Sequence, residues 1–466
     1  MIGTKVEDLA AGEKTRQAIE AARTQNREQI LSITREIETV DVFNIYERHH
    51  EENGNKAYWL NHDKETEFAA LGCCKKLVAD DDRFETIKFS WTKMAEEAWI
   101  DNPFTEAGTG LAAFGGFAFD PEKKTTEKWK HFPAGMFVLP AFLIARHGEA
   151  YYATMNILVK KNDDRETIQD KWNSLHKLLQ EYELDGKGSR ISILAMEEQE
   201  TAQWIETVGK AKQEIQNGQA EKIVLARELL ICLDKAADTG QVVRRLQEQQ
   251  RDSYIFAFEI AGSCFVGATP ERLVKVKEGE VLSTCLAGTA PRGKNKIEDE
   301  LIAKDLLEDT KNRSEHQFVV NMIRDVLDKY CSFIDIPAEP AVQRLKNLQH
   351  LYTPVTARLN EHGHLLDIAG ELHPTPALGG TPKKAAVEFI RENELLDRGW
   401  YGAPVGWLDD RGNGELAVAI RSGLINKEKV SLFAGCGIVA DSDPEMEYEE
   451  TKMKFSPMLN ALGVKK

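Results

Sequence analysis

The amino-acid sequence predicts an α+β fold, on three observations: a crowded series of short apolar strands from Lys222 onward, two helices within 298–330, and a final helix after Asp443. The strands read KIVLARELLI, SYIFAFEI, CFVGATPERLVKV and VLSTCLAGTA, the last two breaks being short and turn-like. Short breaks of that kind join antiparallel neighbours, whereas parallel pairing needs a crossover of a dozen residues or more. No repeat of fixed period is visible.

The remaining elements follow from local pattern. Residues 7–38 are polar and read as one or two helices, and apolar or alternating runs at 57–60, 137–145 and 151–159 read as strands. The stretch 108–120, GTGLAAFGGFAFD, sets four glycines among apolar residues. A phosphate cradle would continue into GK[ST], which is absent, so these glycines are expected to serve bulges and close packing. The charged stretch 160–190 carries a helix in its middle, and another helix begins around 200–215. A soft boundary there separates 1–200 from 201–466. Beyond the strand series and its helices come more strands, the loop HPTPALGGTP and the final helix.

At 466 residues the chain suits two domains or one large layered one. Its formal net charge of -16 argues against a nucleic-acid surface, which concentrates Lys and Arg to release counterions. An anionic substrate would need a local cationic or metal site. No apolar stretch approaches the length of a bilayer span and the N-terminus lacks a signal-like apolar region, so a cytoplasmic protein is expected. The seven cysteines are odd in number, scattered and without a CxxC, as for reduced thiols; the histidines, such as His49, His50, His362 and His364, also lack zinc-ligand spacing.

Several residues stand out chemically. On a helix from about 314 to 330, Glu315 projects at 100° per residue into the arc of Phe318, Val319, Met322, Ile323, Val326, Leu327 and Tyr330. An inward carboxylate must be paired, protonated or metal-bound, unless it merely caps the first turn. In the segment AGCGIVADSDPEMEYEETKMK, Glu447, Glu450 and Lys454 share one helix face behind an Asp443 cap and a Pro444 start. That face suits a solvated helix as readily as a site. Converging carboxylates without thiolate or imidazole point to a hard divalent ion such as Mg²⁺.

Lys222 opens an apolar strand, where a lysine either snorkels outward or lies against a cavity. Glu271 follows Thr269 and Pro270 at a turn. Opposed across a pocket, the two would form a base and an acid; spacing alone does not oppose them. Arg421 closes the run ELAVAIR and could fork a carboxylate, to which Tyr401 of RGWYGAPVGW could donate its hydroxyl.

Taken together, KIVLARE, GATPERL, LAGTAPRG, KNRSEHQFVV, LQHLYT, ELHPTPALGGTP, GWYGAPVGW, AIRSGLI and the C-terminal segment resemble, in order, the blocks of the chorismate-utilising enzymes. That family includes isochorismate, salicylate, anthranilate and aminodeoxychorismate synthases. The resemblance runs from about Thr201 to the C-terminus and implies a large layered α+β fold of two packed, mainly antiparallel sheets flanked by helices, with the N-terminal part completing it. It implies Mg²⁺ on Glu315 and Glu450, helped by Glu447, gripping the ring carboxylate of chorismate. It further implies that Arg421, Tyr401, Gly437 and Lys454 receive the enolpyruvyl carboxylate, with Gly288 and Thr289 also binding substrate.

Lys222 matches the lysine of water-using members, and Ala287 stands where aminodeoxychorismate synthases typically carry a nucleophilic lysine; both count against amination and a glutaminase subunit. The implied reaction is Lys222 activating a water that attacks C2 while Glu271 protonates the departing C4 hydroxyl, giving isochorismate. Asn312, where salicylate synthases usually have glutamate, tilts the reading from pyruvate elimination toward an isochorismate synthase. Length and the GLAAFGGFAFD block look most like menaquinone-pathway members, with siderophore-pathway members, an idle chorismate-binding regulator and a structural interaction protein as alternatives. A monomer or homodimer is expected.

Overall fold

The computed structural model describes residues 12–49, 54–180, 191–344 and 348–463. Among the described residues, the strands form two sheets, one of thirteen and one of ten. All pairings are antiparallel except Gln29–Ile37 against Trp99–Asp101. The sheets pack face to face through an aromatic layer: Trp59, Phe68, Phe256 and Phe265 from the larger sheet meet Phe114, Val405 and Trp407 from the smaller. The Phe68 and Trp407 rings pack edge to face at 5.1 Å, a favoured aromatic geometry. Helices bury the outer face of each sheet in two further cores, which makes four layers. None of the described helices is long and apolar enough to cross a membrane.

In each sheet a block of early strands joins a block of late ones at a single seam. Asn55–Leu60 pairs with Tyr254–Ile260 in the larger sheet, and Ala112–Phe117 with Pro404–Asp409 in the smaller. The glycines of 108–120 serve close packing: a Cβ on Gly115 would stand 1.9 Å from the Met136 carbonyl oxygen.

Three sequence readings change. Residues 12–38 are not all helix: Glu13–Thr24 is helical, but Gln29–Ile37 is a strand, and residues 7–11 lie outside the described ones. Its β-branched Ile30, Ile33 and Thr34 suit a pleated surface better than a helix. The run 137–145 is two strands, Gly135–Leu139 and Phe142–His147, because Pro140 has no N–H for a ladder. Finally, the helix predicted from 314 spans Thr310–Tyr330, started by Asp309, whose side chain accepts from the Asn312 N–H at 2.6 Å.

That helix also turns a different face inward. His316, Val320, Ile323, Val326 and Leu327 are buried, while Glu315 and Phe318 are exposed. His316 heads the buried stripe because its ring finds partners there, Nδ1 at 3.0 Å from the Ala287 carbonyl and Nε2 at 2.7 Å from Thr353 Oγ1. Glu315, one residue and 100° earlier, is left at the rim.

The chain twice passes between the sheets at neighbouring points. Ser263–Thr269 of the larger sheet leads through Pro270 and Glu271 into Arg272–Lys277 of the smaller. Gly414–Val418 of the smaller leads through residues 419–421 into Ser422–Asn426 of the larger. The two crossovers are bonded side by side: Val418 N–H donates to the Glu271 carbonyl at 3.0 Å, and Ala268 N–H to the Arg421 carbonyl at 3.1 Å.

Candidate active site

Glu271 and Arg421 therefore come together because each occupies a crossover. Arg421 holds a left-handed backbone, φ +49°, costly for a residue with a Cβ and concentrated in proteins at functional positions. Read from sequence as the end of one apolar run, it in fact separates two strands of different sheets. Among the described residues no hydrogen bond or ion pair is made by its guanidinium, whose charge is felt by Glu271 and His350. Burial lowers the pKa of Arg421, and Glu271 opposes that shift. An enclosed guanidinium with unused donors is a receptor for a carboxylate.

Burial pushes the Glu271 carboxyl up to about 7, although Arg421 and then Lys222 pull it down. A carboxylic acid that holds its proton near neutrality can donate one. Lys222 faces this acid from the larger sheet, where it starts the strand Lys222–Leu233 beside Lys429–Ile438. A Cβ at Gly437 would stand 2.7 Å from Lys222 Cε, so the glycine leaves the lane along which the lysine extends. Lys222 Nζ donates to Glu315 Oε1 at 2.9 Å.

The C-terminal helix Pro444–Leu462 flanks the same strand, its start fixed by Asp443, which accepts from the N–H groups of Glu445 and Met446. Lys454 Nζ lies 2.6 Å from Glu450 Oε1 and donates to the Gly435 carbonyl at 2.8 Å. The buried Tyr401 ring sits against Phe433 with centroids 5.3 Å apart, and its hydroxyl lies 3.3 Å from where a Cβ on Gly435 would be. Burial raises the Tyr401 pKa, which keeps it a donor. Lys454 and Tyr401 thus converge on Gly435, two residues before Gly437. Glu447 accepts the Ser442 hydroxyl at 2.7 Å.

On the smaller sheet a bulge at 287–289 puts Gly288 in left-handed backbone, φ +78°, and brings Thr289 Oγ1 within 2.9 Å of His350 Nδ1. His350 is a residue the sequence reading passed over. Burial and then the Arg421 charge lower its pKa, so its ring faces the site neutral and able to accept. It lies in the block LQHLYT, at a half-buried position between the buried Gln349 and Leu351 of the strand Leu348–Leu359.

The predicted metal ligands are not gathered into one cage. Among the described residues no three His, Cys, Asp or Glu side chains form a group able to hold an ion. Glu315 and Glu450 instead each pair with a lysine, their side chains 45% and 46% exposed.

A search of protein families matches residues 17–463 to the family described as Chorismate binding enzyme. The chain belongs to that family. It is 38% identical over 455 residues to isochorismate synthase MenF of Bacillus subtilis, covering 96% of each chain. It is 36% identical over 449 residues to the salicylate biosynthesis isochorismate synthase of Pseudomonas aeruginosa, covering 96% of this chain and 93% of that one. Among solved structures it matches the menaquinone-specific isochorismate synthase MenF of Escherichia coli with a TM-score of 0.79 at 22% identity, over 97% of this chain and 100% of that one. That likeness establishes the family fold.

Proposed function

We propose that this chain is an isochorismate synthase, a hydroxymutase that converts chorismate to isochorismate for menaquinone synthesis. The carrying observation is the opposition of Glu271, an acid that keeps its proton to about 7, and Lys222, whose charge reaches it across the site. Lys222, once its ammonium has released a proton to solvent, accepts a proton from a water as the water oxygen bonds C2; Glu271 gives its proton to the C4 hydroxyl as that bond breaks. One water enters and one leaves, the ring double bonds shift, and proton return from Lys222 to Glu271 resets the pair. Arg421, Tyr401 and Lys454 hold the enolpyruvyl carboxylate; Gly288, Thr289 and the neighbouring His350 line the ring.

The donor set suits a hard divalent ion: Glu315 and Glu450 are half-exposed carboxylates whose ion-pair partners among the described residues are flexible lysines, with Glu447 beside Ser442. Mg²⁺ bound to Glu315 and Glu450, with substrate and water oxygens completing its shell, would fix the ring carboxylate and neutralise its charge. Asn312 stands within reach of Gly288, its Oδ1 3.2 Å from a Cβ there, and supplies no carboxylate for pyruvate elimination. In this reading the enzyme works in the cytoplasm as a monomer or homodimer without a glutaminase subunit. Chromatography of chorismate incubated with the protein and Mg²⁺ should show isochorismate; salicylate with pyruvate in its place would make this a salicylate synthase.

A further inference from the structure

The crossover carrying Glu271 is anchored by the next residue. Arg272 is 9% exposed and lies between the sheets. Its Nε donates at 2.9 Å to Oε1 of Glu415, a carboxylate only 1% exposed on the neighbouring strand Gly414–Val418. The same oxygen accepts the Tyr254 hydroxyl at 2.7 Å, from the larger sheet. His62 completes the group: its ring packs on Tyr254 at 5.3 Å and its Nδ1 is 3.4 Å from Arg272 Nη2. Burial and the Arg272 charge lower the His62 pKa, which leaves Nδ1 able to accept. One group of side chains thus joins both sheets, both crossover strands and the N-terminal part of the chain.

A buried ion pair of this kind adds little net stability compared with apolar packing, because desolvation offsets most of its attraction. Its use here lies in direction. Successive side chains point to opposite faces, so fixing Arg272 inward turns Glu271 toward the site. We infer that Arg272, Glu415 and Tyr254, with His62, are positioning residues that hold Glu271 in its half-buried, proton-donating placement. None of them is among the residues assigned to substrate above; they act through the backbone at 271–272. The inference rests on Glu271 serving as the acid proposed above.

The charged and titratable groups that face Glu271 are Arg421, Lys222, Tyr401 and Cys285. Loosening the anchor would let the carboxyl swing toward solvent and toward these two cations, both of which favour its ionised form. The test compares Glu415→Gln and Tyr254→Phe with wild type by the pH dependence of kcat/KM for chorismate, kcat and KM separately, and thermal melting. Tyr254→Phe removes one hydroxyl and keeps the ion pair, so it remains a folded probe if Glu415→Gln leaves Arg272 stranded.

The expected result is an alkaline limb moved down by roughly one pH unit and kcat reduced about tenfold or more, at a KM changed less than threefold, with Glu415→Gln the stronger. A limb at the wild-type position and kcat within twofold, whatever the melting temperature, would overturn the inference and leave a merely structural clamp. Absence of chorismate turnover in the wild type would instead overturn the reading it rests on.

Discussion

Glu271 and Arg421 sit on crossovers between sheets, enclosed, with their backbones fixed by each other's strands; Glu315 and Glu450 ride on helix faces, half exposed and each tied to a lysine. The first pair is shaped by burial: one carboxyl is pushed up to about 7 and one arginine is held in left-handed backbone with its donors unused. The second pair has ready counterions and room to exchange them. Rigid, desolvated groups suit steering a proton and a carboxylate, whereas adaptable surface carboxylates suit an ion that arrives and leaves.

The comparison breaks most sharply at Glu271. Glu271→Gln removes the proton donor while keeping shape, and steady-state kinetics should show kcat lower by about 10² to 10⁴. The wild-type rate should also fall as pH rises through about 7, because the donor must carry its proton. Stability follows the same sign. The folded pKa lies above the unfolded carboxyl value, so the stabilisation is fully present below that value and lost as pH rises through about 7. Above pH 7 Glu271→Gln should therefore melt at a higher temperature than wild type, and below pH 4 the advantage should vanish.

Arg421→Gly tests the other crossover residue. It relieves a left-handed backbone costing ~1 kcal/mol or more while removing the carboxylate receptor. The expected outcome is kcat/KM lower by roughly 10²-fold with thermal stability unchanged or higher, measured by kinetics and calorimetry.

The helix-borne side responds differently. Lys222→Gln should abolish turnover yet bind Mg²⁺ more tightly, on the order of tenfold in titration calorimetry without substrate, because an ammonium 2.9 Å from Glu315 competes with the ion. Lys452→Gln removes the same charge beside Glu449 and should leave that affinity unchanged. The smallest effect is at the cap: Asp443→Ala should cost about 1 kcal/mol in denaturant unfolding through the loss of two N–H partners, with the crossover chemistry intact.

The same contrast governs what was legible in the sequence. The helix cap at Asp443 and Pro444 was readable because capping is local chemistry within four residues. The strands from Lys222 onward were readable as short apolar runs with turn residues between them, and the family blocks placed the charged residues. Three things were not. The inward face of Thr310–Tyr330 was misjudged because His316, a polar residue, takes a buried place through contacts with Ala287 and Thr353 from distant strands. The break at Arg421 was hidden because an apolar run that changes sheets looks like one strand. The anchor of Glu271 was invisible because Tyr254, Arg272 and Glu415 meet only after two sheets have packed.

In the proposed reaction water adds at C2 under the Lys222 and Glu271 pair. Conversion of unlabelled chorismate in H₂¹⁸O, with product analysed by mass spectrometry, tests it most directly. Wild type should give isochorismate carrying one ¹⁸O in its C2 hydroxyl, and Glu271→Gln and Lys222→Gln no conversion above background. Isochorismate without the label, or labelled product formed at wild-type rate by either variant, would contradict it.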